Sequence, residues 1–346
     1  MKFLSLKSKD IGIDLGTSNI LVTIAGKGIV YNEPAAIAID KENMTVIAVG
    51  GDAKEMIGRT PDNITAIKPM DKGVIADLTA TGLMLKSILS KVCEKYSARK
   101  PRVVVGIPTD ITEVETRAVQ EAIMQAGAKE VYLVEEPIAA AIGASMEIVD
   151  ASGNIIVDIG GGTTEVAIIS LGGIVVTHAL RVAGNELDKD IINYVKREYN
   201  LLIGENTAEE IKKEIGSAAP LVSKRIKKVK GRDLATGLPR EIEITSDQVE
   251  EAIRESIRRI LDVIKLTLEQ TPPELSSDIM EKGIMLSGGG ALIENFDKLL
   301  SEETGIPVYI AENPLYSVVI GTERVLENIE KLKSVLFSSK RIIPRQ

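Results

Sequence analysis

Two short segments carry the residue types that could cradle a phosphate chain. The first is Asp14-Leu15-Gly16-Thr17-Ser18-Asn19; the second is Asp158-Ile159-Gly160-Gly161-Gly162-Thr163-Thr164. A nucleoside triphosphate needs backbone N–H groups that can approach its oxygens, and glycine permits that approach while Ser and Thr hydroxyls add donors. A carboxylate at the end of each preceding strand, Asp14 or Asp158, could hold a hydrated Mg²⁺, which keeps most of its waters. Either turn alone would serve equally as an ordinary hairpin turn; two related turns in one chain point to a phosphate site. A third cluster, Ser287-Gly288-Gly289-Gly290-Ala291-Leu292, follows a strand-like run. Its glycines could lie against a base or approach an α-phosphate, although a tight strand–helix turn explains them as well.

Glu135-Glu136-Pro137 stands at a strand end before the Ala-rich run Ile138–Ala144. A carboxylate there could orient a water for in-line attack on a γ-phosphate. On composition alone the more ordinary reading is a pair of helix-start acids favoured by the macrodipole. The common alternatives for nucleotide binding are missing: no G-x-x-x-x-G-K-[ST] occurs, Gly58-Arg59-Thr60 being the nearest segment, and no G-x-G-x-x-G joins a first strand to a helix.

The elements that must position these residues alternate between strand and helix, which reads as α/β. Asp10–Ile24 is patterned as a hairpin, Thr79–Tyr96 as an amphipathic helix, and Arg102–Ile107 as a strand buried on both faces. Thr112-Glu113-Val114-Glu115 fits a capping box whose helix runs through Ala126 to a C′ glycine, Gly127. Val131–Val134 is a further strand, and Pro137 falls where the first helical position is expected. The pattern restarts at Asn154: Ile13-Asp14-Leu15-Gly16 and Val157-Asp158-Ile159-Gly160 match position for position, and each leads into a second apolar strand. The boundary between halves is expected near Ala151–Gly153. The second half adds a charged helical stretch, Asn206–Ala218, a basic run, Ser223–Arg232, and a long helix, Ser246–Glu269. Gly283–Leu286 is then a strand, and a last helix is expected near Gly321–Leu336 after a turn set by Pro314.

Bulk properties bound the function. A chain of 346 residues is long for one core, so two domains are expected. A net charge of −8 argues against a general nucleic-acid binder. One cysteine, Cys93, and one histidine, His178, exclude an internal disulfide and a His-based metal site, and both are read as structural. No signal peptide and no membrane-spanning run is visible, so a cytoplasmic location is expected.

The phosphate turns, the Glu-Glu-Pro-Ile-Ala-Ala-Ala-Ile-Gly helix start and Leu-Ser-Gly-Gly-Gly-Ala-Leu-Ile resemble the actin/heat-shock chaperone/sugar kinase ATPase superfamily. Ala53–Pro61, Gly73–Asp77, Gly160–Gly173, Ala208–Ala218 and Thr271–Ser277 are similar to the MreB/Mbl family of bacterial actin homologues, from about Asp10 to Glu330. The resemblance implies an actin-like ATPase fold with two related ribonuclease-H-like domains flanking a nucleotide cleft. Domain I would be residues 1–150 plus 315–346, with a small subdomain at about 33–75; domain II would be 151–314, with a helical subdomain at about 183–245. It implies ATP and Mg²⁺ as cofactors. Thr17, Ser18 and Asn19 match one phosphate loop, Gly160, Gly161, Gly162 and Thr163 the other, and Asp14 and Asp158 the metal-side carboxylates. Glu136 matches the glutamate that positions the hydrolytic water, with Thr164 helping to hold it, which lifts Glu136 above the helix-start reading. Glu209 and Lys212 match the pair that grips ribose and base, and Gly288, Gly289, Gly290 and Ala291 the adenosine turn. Ser18 stands where Ala is usual, adding only a hydroxyl.

The implied function is a filament-forming ATPase that controls cell shape. Its partners would be further copies of itself, the inner face of the cytoplasmic membrane and the cell-wall elongation machinery, with no nucleic acid. Family members use an apolar, basic N-terminus or an exposed apolar loop at the membrane; here Met1–Lys9 is the corresponding segment. The basic run Lys224, Arg225, Lys227, Lys228, Lys230, Arg232 reads as a solvated loop face, or as a contact with acidic lipid or a neighbouring subunit. A chaperone would need a substrate-binding region beyond the core, and a small-molecule kinase a base beside an acceptor pocket.

Overall fold

The computed structural model describes residues 9–332 and 335–336. Of the sequence expectations, the membrane-facing role of Met1–Ser8 and most of the tail Ser334–Gln346 lie outside those residues. The chain groups into two compact units, one of Met1–Asp150, Leu171–Gly173 and Tyr316–Gln346, the other of Ala151–Ser170 and Ile174–Leu315.

The first unit is built on a five-stranded sheet. Ile11–Leu15 lies between Asn19–Ile24, antiparallel, and Arg102–Ile107, parallel; Gly28–Pro34 and Glu130–Glu135 complete the two edges. Every residue of Ile11–Leu15 is buried, because an interior strand of an α/β sheet is covered on both faces. The helix Leu78–Tyr96 packs the sheet with Met84, Leu85, Ile88, Leu89 and Val92, a helical spacing that makes one apolar face. It starts on Asp77, whose side chain accepts from Ala80 N at 2.9 Å. The Thr112/Glu115 capping box is formed in both directions, at 3.3 Å and 2.9 Å. A small sheet, Val46–Val49, Ile37–Asp40 and Ile64–Ile67, stands beside the main one.

The second unit repeats the plan. Its sheet runs Gly173–Leu180, Thr164–Ser170, Asn154–Ile159, Ile284–Ser287, Val308–Ile310, with the Asn154–Ile159 strand antiparallel to its hairpin partner and parallel to Ile284–Ser287. The two sheets therefore share one strand order, antiparallel hairpin first and parallel strands after. The helix Ser246–Glu269 buries Val249, Ile253, Ile257, Ile260, Leu261 and Ile264 in this unit's core. Its start carries a capping box of Thr245 and Gln248 that the sequence reading did not single out. The interior bond of His178 Nδ1 to Thr267 Oγ1 is 3.0 Å.

Two local expectations change. The basic run is a strand, Ile226–Asp233, paired in register with Pro239–Thr245 and joined by Leu201–Leu202, so the region expected as helical holds a three-stranded sheet besides its helices Gly184–Tyr199 and Glu205–Ile215. Strand alternation was hidden there because lysines occupy the exposed positions. Lys228 and Lys230 lie near Glu241 across the ladder. The last helix is Ser317–Glu327, earlier and shorter than expected: a 3₁₀ turn, Pro314–Tyr316, leads straight into it. Gly321 belongs to its interior, since a Cβ there would meet Ala139 O at 1.8 Å where this helix crosses Glu136–Gly143.

Candidate functional site

In the first unit the turn Gly16–Ser18 joins the buried strand of Asp14 to its hairpin partner. Gly16 is needed there: a Cβ would stand 2.7 Å from Asn19 O. Thr17 is buried, and its Oγ1 accepts from Gly73 N at 2.9 Å. That contact ties the Gly16–Ser18 turn to the hairpin Met70–Ile75, whose turn residues Lys72 and Gly73 both have positive φ. The hydroxyl's own proton remains to be donated. Ser18 and Asn19 are exposed, with Asn19 Nδ2 donating to Asn32 Oδ1 at 2.8 Å.

Glu136 is reached from Asp14 across the same sheet. Asp14 is in register with Gly106 on the parallel neighbour, and Gly106 with Val134 on the next strand, which ends at Glu135. Glu136 then opens the helix Glu136–Gly143, with Pro137 in its first turn, and is buried. A Cβ on Gly106 would stand 3.6 Å from Glu136 Cγ and 3.0 Å from Val318 Cγ1. Gly106 thus makes room chiefly for Val318, with Glu136 Cγ at ordinary contact distance. It was missed in the sequence, although a lone glycine inside Val103-Val104-Val105-Gly106-Ile107 is the signal of a close approach. Glu135, half-buried, has its carboxyl pushed up by burial. The far end of the helix is held by Arg324, which donates to Gly143 O at 3.1 Å and Ser145 Oγ at 2.8 Å.

In the second unit the turn Gly160–Thr163 closes with Gly160 N donating to Thr163 O at 2.9 Å. Asp158 lies just before it, in register with Ser287 of the parallel neighbour. Its carboxyl is pushed up to about 6 by burial, the Ser287 hydrogen bond partly opposing the rise. Among the described residues its Oδ1, wholly buried, has no hydrogen-bond partner. A buried acceptor without a partner is costly and calls for a ligand, and an oxygen-seeking cation fits this one. Thr163 and Thr164 are buried, and Thr164 Oγ1 donates to Val182 O at 2.8 Å, so the hydroxyl can only accept from a water.

The third glycine cluster is explained first by packing. A Cβ on Gly288 would meet Ile159 O at 2.3 Å and one on Gly290 would meet Ile159 Cγ2 at 2.2 Å, and Gly288 has φ +77°. These two glycines let the turn after Ile284–Ser287 close on the Asp158 strand. Gly289 is exposed and Ala291 buried. Glu209 and Lys212 share one face of the helix Glu205–Ile215, as their spacing of three requires. Glu209 pairs with Lys213 at 2.6 Å; Lys212 Nζ lies 2.8 Å from Asp188 Oδ1 and donates to Gly184 O at 2.7 Å. Among the described residues no group of three His, Cys, Asp or Glu gathers as a metal cage, and no helix is long and apolar enough to cross a membrane. Cys93 is half-buried with its thiol pushed up by burial, the opposite of an activated nucleophile.

Comparison with known proteins gives concordant results. Residues 8–334 match the MreB/Mbl protein family. The cell shape-determining protein Mbl of Bacillus subtilis (strain 168) is 51% identical over 94% of this chain and 98% of its own length. The cell shape-determining protein MreB of Escherichia coli (strain K12) is 50% identical over 98% and 99%. MreB5 of Spiroplasma citri bound to ADP has a TM-score of 0.87 at 40% identity, covering 94% of this chain and 98% of its own. The same protein bound to AMPPNP gives 0.85 at 39%, covering 94% and 97%.

Proposed function

This chain belongs to the MreB/Mbl family, and on that footing we propose that it is an ATP-hydrolysing, filament-forming protein that sets bacterial cell shape. The observation that carries the reading is Asp158: a buried carboxylate with an unpartnered oxygen, immediately before a glycine turn. Nothing in an ordinary hairpin requires such a group, whereas a divalent cation travelling with a triphosphate does. The ADP and AMPPNP complexes of the 40%- and 39%-identical relative support nucleotide binding.

The roles follow from the residues. Thr17, Ser18 and Asn19, together with Gly161, Gly162 and Thr163, would donate to phosphate oxygens, while Gly160 N is committed to closing its own turn. Asp14 and Asp158 would hold Mg²⁺, with the rest of its shell left to water and phosphate. Bound, the cation neutralises charge on the phosphates. Glu136, buried beside Gly106, accepts a hydrogen bond from the attacking water and orients it. Thr164 accepts from the same water. Glu209 and Lys212 grip ribose and base, with Gly288, Gly289, Gly290 and Ala291 beside the adenosine.

Head-to-tail assembly makes an open polymer because its symmetry operation does not close. Filaments of this kind, in the cytoplasm and peripheral at the inner face of the membrane, would organise the wall-elongation machinery. Sedimentation tests the reading: with ATP and Mg²⁺ at micromolar protein, the chain should pellet, alone or with vesicles of anionic lipid. A protein that remains monomeric under all these conditions, or that transfers phosphate to a sugar instead, would contradict it.

A further inference from the structure

We propose that Asp188, on the helix Gly184–Tyr199, is a positioning residue for nucleotide binding: it holds the Lys212 ammonium over Gly184 and so ties the helix Glu205–Ile215 to the second phosphate turn. The inference rests on the ATP reading above and assigns a residue which that reading leaves out.

The chain of contacts is continuous within the second unit. Gly184 N donates to Gly160 O at 3.1 Å and Asn185 N to Gly161 O at 2.8 Å, so the first residues of the helix are bonded to the turn itself. Thr164 Oγ1 adds the 2.8 Å bond to Val182 O. From the other side Lys212 Nζ donates to Gly184 O at 2.7 Å. Asp188 Oδ1 lies 2.8 Å from the same ammonium, both side chains being 12% exposed. The approach is oblique, an ion pair more than an aligned hydrogen bond. Gly184 is the node: a Cβ there would meet Gly160 O at 3.3 Å and Lys212 Nζ at 3.4 Å.

Physical chemistry says this arrangement is not self-sustaining. An ammonium beside the first turn of a helix faces the positive end of its dipole, and two groups so little exposed lose much of their hydration. Asp188, one turn into the same helix, supplies the charge that keeps Lys212 there. The exposed pairs Lys213–Glu209 and Lys224–Asp247 are of the kind that contributes little. Of the ammonium's three donors, one goes to Gly184 O, and the ion pair with Asp188 holds the head group there. A nucleotide gripped by Lys212 is thereby gripped by a group fixed to the phosphate turn, and Asp188 acts only through that lysine.

The test is a double-mutant cycle read by calorimetric titration with ATP and Mg²⁺, using the full chain and the variants Asp188→Asn, Lys212→Gln and the two combined. The combined variant leaves no uncompensated charge, so it is expected to fold as the wild type does, by melting temperature. Asp188→Asn should weaken ATP binding roughly tenfold, the scale of losing one charge-assisted contact. In the Lys212→Gln background the same change should cost less than about twofold. Asp188→Glu, which restores the carboxylate, should recover part of the loss, whereas a fold defect would not respond to charge. If Asp188→Asn binds ATP like the wild type, or costs as much without Lys212 as with it, the inference is wrong while the ATP reading stands. If the wild type binds no ATP, the ATP reading falls and takes this one with it.

Discussion

Asp158→Asn should stabilise the nucleotide-free protein while destroying its affinity for Mg·ATP. Burial lifts the Asp158 carboxyl from 3.8 to about 6 in the folded chain. A group raised in this way contributes stability that is fully present below the unfolded value and is lost as pH rises through the folded one. At pH 8 the folded protein must hold a charge that the unfolded chain holds in water, at a cost of about 3 kcal/mol. About half of that cost develops between pH 5 and pH 8. Asparagine keeps the shape, accepts the Ser287 hydrogen bond and carries no charge, so it escapes the loss. Urea denaturation of both proteins at the two pH values, without nucleotide, measures the difference. The variant should be the more stable at pH 8, and its advantage should shrink toward pH 5. Saturating Mg·ATP should then stabilise the wild type alone, because only a form that binds ligand gains from it. An advantage independent of pH, or a variant less stable at pH 8, would refute the view that Asp158 holds an uncompensated charge awaiting a cation.

Two further outcomes follow from the geometry. Thr17→Val removes the acceptor for Gly73 N while keeping volume; it should lower stability by about 1–2 kcal/mol in urea titrations and weaken ATP binding measured by calorimetry. Gly321→Ala puts a Cβ 1.8 Å from Ala139 O, so the helices Ser317–Glu327 and Glu136–Gly143 must part; a loss of at least ~2 kcal/mol is expected, with reduced ATP turnover because Glu136 rides on the second helix.

Much of this molecule could be read from local chemistry. The Arg102–Ile107 strand, the Thr112 capping box and the two Asp–Gly hairpins are signalled by residues close in sequence, and each forms as its pattern implies. What stayed hidden depends on partners far along the chain. Gly106 matters because Val318 arrives beside it, and Gly321 because Ala139 does. Asp188 looks like any helical acid until Lys212, from another helix, is set against it. The Ile226–Asp233 strand was obscured for a different reason: its exposed positions carry lysines, whose charge suggested a loop while their stems can lie along the solvent face of a ladder. The third glycine cluster suggested a ligand, yet two of its glycines are first required by Ile159. Family resemblance, rather than composition, raised Glu136 above an ordinary helix-start acid; the structure adds that it is buried in the first turn of its helix.

On the proposed function, this chain hydrolyses ATP and Glu136 orients the attacking water. Phosphate release from Mg·ATP, followed for the wild type and for Glu136→Gln at matched nucleotide occupancy, tests it most directly. ATP affinity should stay within about twofold of wild type while turnover falls by about a hundredfold or more. A Glu136→Gln protein that binds ATP normally and releases phosphate at the wild-type rate would contradict it.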